Sequence, residues 1–395
     1  MSIKRVIAIV AIYLLACMGW FILGSVTKNR SSELSYRLHR AVHSLWGGPI
    51  TQHPPSFRVR IPGTNDERRL MPKSNEVDVA FDLEHRRKGL IWYATYTLDF
   101  SARYVVQNDE EVSQKVRFHF DFPSPSASYD DFTFSVDEER VLCPIDTRKG
   151  VSEVVIIPPG QERSFTVSYR SRGLDRWQYY PSASTGRVRN LRLSASTNFH
   201  DLDYPESGLS PMEREKTEQG WKLTWKARDL ITSQNIGIIV PDKINPGPLA
   251  SRITFFAPVC LLFFFTLIAA INVVYRVDIH PMHYLFVAAG FFSFHLLLAY
   301  LVDHIDLHLA FILSAVTSIV LVTTYLTASL GEQFPAFAAV LGQSFFLVLF
   351  SYSFFLEGAT GLTVAIGSVI TLAVLMKVTV NTNWNDFFSP ENPAP

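Results

Sequence analysis

Within one short segment, Arg170, Arg172, Arg176, Trp177, Tyr179 and Tyr180 combine positive charge with aromatic faces, the mixture that holds a glycan or an acidic peptide. The same residues would also suit the exposed ends of sheet strands. A second group is His280-Pro281-Met282-His283, which has the look of a metal pair, with further histidines at 295, 304 and 308. His280 and His304 stand at opposite ends of one apolar stretch, so a single ion cannot use both. Pro281 fits the first turn of a helix, where its missing N–H costs little. His295 and Gln343 lie inside apolar runs, where a polar side chain is by default a functional candidate. The duller reading is a neutral His295 imidazole bonded to a neighbouring helix, through Gln343 or Ser351. No Asp, Glu or Arg stands near them to complete a proton relay. No nucleophile elbow, phosphate loop, dinucleotide fingerprint or zinc-protease motif is present. The expectation is therefore no catalytic residues, no metal and no cofactor.

The elements that carry these residues follow from hydropathy. Val6 to Val26 is free of charge, and residues 253–379 are almost continuously apolar. A hydrocarbon core of ~30 Å needs ~20 such residues in helix. The second stretch breaks at 276–283, 303–306, 331–335 and 357–360, predicting helices at 253–275, 284–302, 307–329, 335–355 and 359–379, six with the first. Ser314, Thr317, Ser318 and Thr324 form a polar stripe, and Gly290 and Gly342 allow close helix approach. Lys4, Arg5, Arg276 and Lys377 mark the cytoplasmic face, while the opposite turns carry Asp303, Asp306 and Glu357. Lys28, Arg30 and Arg252 oppose this count without reversing it. Both termini are expected in the cytoplasm and the large polar region outside it. An alternative, a lipoprotein signal ending at Cys17, is opposed by the apolar run from Met18 to Val26.

The polar region holds 32 Lys and Arg against 29 Asp and Glu, a balance that argues against nucleic acid. Cys17, Cys143 and Cys260 cannot build a disulfide framework, and Cys143 is expected to be buried. Ser31 to Leu45 extends the first helix. Beyond it, Glu76–Leu83, Leu90–Val106, Val116–Phe122, Phe132–Val136, Val151–Ile157, Ser164–Tyr169, Arg187–Ser196 and Trp221–Lys226 read as strands. Ser164 to Tyr169 alternates cleanly between polar and large apolar residues. Several short strands at this spacing suggest a sandwich. Pro54, Pro55 and Pro62 before the strands, and Pro241, Pro246 and Pro248 after them, read as extended connectors. The expected architecture is a six-helix membrane bundle plus an extracytoplasmic, mainly-β, sandwich-like domain. It divides into an anchor at 1–30, a β-rich domain at 31–250, a five-helix bundle at 251–380 and a cytoplasmic tail at 381–395.

His280-Pro281-Met282-His283-Tyr284-Leu285, Phe294 to Leu298, Asp303-His304 and Asn383-Trp384 resemble, in order and spacing, the HPMxYL, FYLLL and SEH elements and the post-span tryptophan of the CreD family of bacterial inner-membrane proteins. The resemblance covers 253–387 well, and more loosely Trp46-Gly47-Gly48-Pro49 and Asn198 to Trp225. His295 stands where the family usually has Tyr, Asp303 where it has Glu, and Val380-Asn381 where it has a basic pair. The resemblance implies an inner-membrane location and an association with envelope integrity and tolerance of envelope-directed agents, without a settled biochemical activity.

Together these readings give a non-enzymatic inner-membrane protein whose periplasmic β-domain contacts an envelope protein or peptidoglycan glycan, with membrane lipid around its helices. The alternative is a transporter or exporter using the five-helix bundle as its path, with His295 and Gln343 as its intramembrane chemistry. An inward-signalling sensor is disfavoured by the short cytoplasmic loops and the brief segment after Lys377.

Overall fold

The computed structural model describes residues 3–380 apart from 62, 90, 183–185, 276, 278, 332–333 and 357. Pro62, Arg276, Glu357, Asn381, Asn383, Trp384 and the 381–395 tail lie outside the described residues. The chain divides into two compact units, one holding residues up to Tyr36 and from Ile244 onward, the other Arg37–Lys243. The unit boundaries therefore fall a few residues inside the 31–250 range read from composition.

Among the described residues, six helices are long and apolar enough to cross a membrane. They are α1 (Ile3–Trp46), α2 (Pro246–Tyr275), α3 (Pro281–Leu301), α4 (Leu307–Leu330), α5 (Ala336–Phe355) and α6 (Thr360–Thr379). Asp306 starts α4 by accepting bonds from the amides of His308 and Leu309, so that the polar turn itself caps the helix. The core is rich in aromatic residues, with Trp20, Phe264, Phe291, Phe294 and Phe350 fully buried. Glycines set the closest approaches: a Cβ at Gly290 would lie 2.3 Å from Val322 Cγ2, and one at Gly342 would lie 2.2 Å from Leu267 Cδ2. The expected close helix contacts at these two glycines are thus present. α5 is not uniform. It is α-helical over Ala336–Gln343, widens to a π-helix over Ser344–Leu349 and tightens to 3₁₀ over Ser353–Phe355.

The second unit is built of β-structure. Its strands are β1 (Ile50–Gln52), β2 (Ser56–Arg60), β3 (Glu67–Leu70), β4 (Ser74–Lys88), β5 (Ile91–Gln107), β6 (Gln114–Phe120), β7 (Tyr129–Val136), β8 (Glu139–Arg140), β9 (Val151–Ile157), β10 (Glu162–Leu174), β11 (Arg176–Tyr179), β12 (Arg187–Thr197), β13 (Glu213–Lys216), β14 (Trp221–Ile231) and β15 (Ile236–Ile239). Every strand expected from sequence is present. Seven more are added, and β1 and β2 occupy the stretch around Pro54 and Pro55 that reads as connector.

They form an eight-stranded sheet ordered β13-β14-β12-β4-β5-β10-β7-β8, a four-stranded sheet β3-β2-β6-β9 and a three-stranded sheet β1-β11-β15. In the large sheet only β12 and β4 run parallel. Inward residues of the sheets share one core, as period-two alternation requires. Phe118 of β6 stacks on Phe165 of β10 at 5.6 Å and on Phe134 of β7 at 4.5 Å. Phe165 also meets Phe57 of β2 edge-on at 5.0 Å.

Candidate functional site

The Arg-aromatic segment does not form one surface. Its Leu174–Arg176 turn places Asp175 at a φ of 63°, and β11 then runs between β1 and β15, so Trp177 and Tyr179 point into the core at 0% exposure. Trp177 packs edge-on against Phe81, and the Tyr179 hydroxyl meets that of Tyr104 at 3.2 Å. Tyr180 is half-buried and stacks on His53. Arg170, Arg172 and Arg176 are exposed. Arg170 Nε bonds Asp99 at 2.7 Å, and the paired carboxylate holds its guanidinium even more firmly protonated than usual. Of the six residues, the arginines and, in part, Tyr180 reach the surface. Alternation alone cannot tell which short strands lie in the middle of a sheet, and here β11 does.

A basic-aromatic contact does exist, on a different aromatic residue. The Trp46 ring lies under two guanidinium groups, Arg86 at 3.8 Å and Arg172 at 5.3 Å. Gly47, at a φ of 82°, turns the chain directly afterwards, and Gly48 accepts a bond from the Leu174 amide. Nearby, burial raises the carboxyl pKa of Asp175, opposed by the neighbouring His39, Arg176 and His43 side chains. Burial also raises Asp242, with the Asp175 charge adding to the shift. This titratable cluster has no signal in the sequence, because its members come from α1, the β10–β11 turn and the segment after β15. Cys143, expected to be buried, is half-buried, and its thiol is raised by burial and by Glu153.

In the helical unit, His280 and His283 are both engaged structurally. His280 Nδ1 accepts from the Met282 amide at the start of α3, and His283 Nδ1 meets the Tyr325 hydroxyl at 3.0 Å. Pro281 occupies the first turn, as its chemistry predicts. Tyr284 is buried edge-on to Phe265, while Met282 and His304 are exposed. Asp303 forms an ion pair with Arg30 at 2.8 Å, and the same guanidinium bonds Ala299 O and lies 4.9 Å from the Tyr300 ring centre.

His295 is fully buried, but its partner differs from the expectation. Nδ1 meets the Phe291 carbonyl one turn back in its own helix, at 3.0 Å, instead of Gln343 or Ser351. The bond satisfies Nδ1 alone and leaves the buried Nε2 without a partner among the described residues, and spacing to other helices gives no warning of it. Its ring meets Trp20 edge-on at 5.6 Å. Gln343 donates weakly to Ser318 Oγ at 3.4 Å, and Ser318 donates to the Gly290 carbonyl at 2.7 Å. These contacts tie α3, α4 and α5 together. Among the described residues, no group of three or more His, Cys, Asp or Glu side chains is arranged to hold a metal.

Comparison with solved structures gives a Legionella pneumophila protein provisionally described as nutrient binding, at 11% identity and a TM-score of 0.29, covering 58% of this chain and 79% of that one. It also gives an M1 zinc metallopeptidase variant from Deinococcus radiodurans bound to a Tyr-Ser-Ala substrate, at 10% identity and a TM-score of 0.29, covering 82% and 95%. A two-domain M1 zinc metallopeptidase variant bound to L-tryptophan matches at 9% identity and a TM-score of 0.24, covering 82% and 96%. Likeness at this level carries no argument about fold or activity. No curated protein sequence matches the chain. The family model described as inner membrane protein CreD matches residues 210–385, from just before β13 through all of α2–α6. This match spans the residues that carry the resemblance to that family, from the histidine-proline motif at the start of α3 to the paired acid Asp303.

Proposed function

We propose that this is a non-enzymatic inner-membrane protein that supports envelope integrity by contact between its β unit, on the outer side of the membrane, and an envelope component. The observation that carries the reading is the β unit's place in the chain. It has its own core and is inserted between the first apolar helix and the remaining five. The Arg30–Asp303 ion pair supports the parity of the spans, since it brings the end of the first apolar run together with the α3–α4 turn. With Lys4, Arg5 and Lys377 at the opposite ends of their helices, the positive-inside rule makes the side of Asp303 the outer one. The β unit, a periplasmic sandwich in this reading, then meets the cell wall side.

Two measurements test this. A Leu142→Cys variant in a Cys143→Ser background should react with a membrane-impermeant maleimide in spheroplasts, since residue 142 is fully exposed on the β unit. Labelling only after lysis would refute the outward placement. Deletion should lower tolerance to detergent and β-lactam, and unchanged tolerance would refute the role. Nothing among the described residues favours the exporter alternative, because His295 and Gln343 are enclosed by packed side chains.

A further inference from the structure

Where the chain enters and leaves the β unit, cations and indoles collect. The Trp46 ring at the end of α1 lies under Arg86 and Arg172. A second indole repeats the arrangement, with Lys243 Nζ 4.4 Å and the Arg87 guanidinium 6.0 Å from the Trp92 ring centre. Both indoles are half-buried. Arg86, Arg87 and Lys88 form the tip of the β4–β5 hairpin, which turns at Gly89 with a φ of 63°. Arg87 Nε holds that turn by donating to the Gly89 carbonyl at 3.0 Å. A Cβ at Gly89 would lie 3.1 Å from Leu38 Cδ1, so the hairpin tip packs on α1 beside the exposed Arg37 and Arg40.

The near-neutral balance of the polar region is therefore unevenly placed. Against these cations stand the carboxylates of Glu84, Asp130, Asp175 and Asp242; Glu84 pairs Arg86 at 2.6 Å, and Asp130 lies 3.7 Å from Arg172. The excess is positive. A cation over an indole face spends no N–H donor on that contact, which leaves the remaining donors of Arg87 and Lys243 for an oxyanion. Chain length fixes which oxyanion is at hand. The helical rise along α1 from Val26, the end of the first apolar run, to Leu38 is ~18 Å. The chain from Lys243 to Ile253, extended as far as Pro246 and helical beyond, spans at most ~21 Å. Lipid headgroups reach ~5–7 Å outward from the hydrocarbon, and charges act over ~8–10 Å at physiological salt. The headgroup phosphates are thus the anions this tethered patch meets first, and indoles favour the same layer.

We propose that the hairpin tip, with Trp46, Trp92 and Lys243, docks on the anionic phospholipid headgroups of the bilayer that holds the helices. The cations meet the phosphates, and the indoles supply the amphipathic faces between them. A soluble polyanion competes poorly, because a patch tethered by α1 and α2 faces lipid phosphate at a fixed, high local concentration. The proposal rests on the helices lying in a membrane. It does not depend on which side the β unit faces or on an envelope partner, so it can fail while the envelope role stands.

The test uses the full-length protein with a fluorophore on Leu45→Cys in a Cys143→Ser background, since residue 45 is exposed beside Trp46 and the other two cysteines are buried. Nanodiscs are made of phosphatidylcholine alone or with about one-third phosphatidylglycerol, each with the same small fraction of lipid bearing a headgroup nitroxide quencher. Quenching should be about twofold stronger with phosphatidylglycerol and return to the phosphatidylcholine level at ~0.5 M salt. These comparisons need no change in the patch. Arg87→Glu with Lys243→Glu should abolish the difference, and Trp92→Ala should weaken it. Arg189→Glu should preserve it, because the Arg189 carbonyl bonds Asn75 at the opposite end of β4 from the hairpin tip. Unchanged circular dichroism and melting confirm that each variant is folded. Equal quenching in the two lipid mixtures, survival of the difference in the Arg87→Glu, Lys243→Glu protein, or its loss in Arg189→Glu would overturn the proposal. Loss of the difference on adding soluble glycerol phosphate would assign the patch to a free phosphate and overturn it too.

Discussion

Replacing Gly290 with alanine should destabilise the helical unit by about 1–2 kcal/mol, although alanine is the better helix former. In isolation the substitution would gain up to ~1 kcal/mol of helix propensity. In the bundle the new methyl would lie 2.3 Å from Val322 Cγ2, where real Cβ contacts essentially never fall below 3.0 Å. Val322 is 1% exposed, and a β-branched side chain in a helix has one strongly preferred rotamer, so it cannot swing aside cheaply. The helices must separate instead. That stretches the bond from Ser318 Oγ to the Gly290 carbonyl, 2.7 Å long, whose partner would remain buried. Overpacking of this kind costs about 1–3 kcal/mol, which exceeds the propensity gain. Heating detergent-purified protein and following its size-exclusion profile should show an apparent melting point lower by roughly 2–5 °C. Adding Val322→Ala removes the clashing methyls, so the double variant should be more stable than additivity allows by about 1 kcal/mol. A rise in melting point for Gly290→Ala, or strict additivity with Val322→Ala, would refute the argument from close approach.

Three further outcomes are expected. In a double-mutant cycle, Arg30→Ala and Asp303→Ala should show a coupling of ~1 kcal/mol or less in the same melting assay, as befits a partly exposed ion pair; exact additivity would count against the contact. Because the carboxyl of Asp175 is raised in the fold, its contribution is present below the ordinary carboxylate pKa and is lost as pH rises through the raised value. Asp175→Asn should thus stabilise the β unit at neutral pH, keep the φ of 63° that Asn tolerates, and make little difference in acid, read by melting at several pH values. Trp177→Ala should cost about 3–5 kcal/mol of β-unit stability, while Arg170→Ala, at the exposed rim, should leave melting nearly unchanged.

Much of this was legible in the chain. Charge-free length gave six helices within a few residues at most ends, because hydrocarbon tolerates so little polarity that hydropathy tracks membrane helices closely. Alternation from Ser164 to Tyr169 marked β10 and its inward face, since one side of a sheet must be apolar. What stayed hidden depends on distant partners. β1 and β11 pair in parallel across more than a hundred residues, and β1 is three residues long. No local pattern reveals that Trp177 is enclosed there. His295 bonds its own helix.

The wide turn over Ser344–Leu349 in α5 has its own consequence. A π-helical turn holds one residue more than an α-helical turn of the same span, so the fifth span carries an inserted position without being lengthened. Returning that turn to α geometry would wind everything beyond it by about 100° around the axis, sweeping Ser351 and Phe355 past their neighbours while the segment up to Gln343 stayed fixed. Loss of one residue within Ser344–Leu349 would restore α geometry there while keeping the register of the helix beyond it.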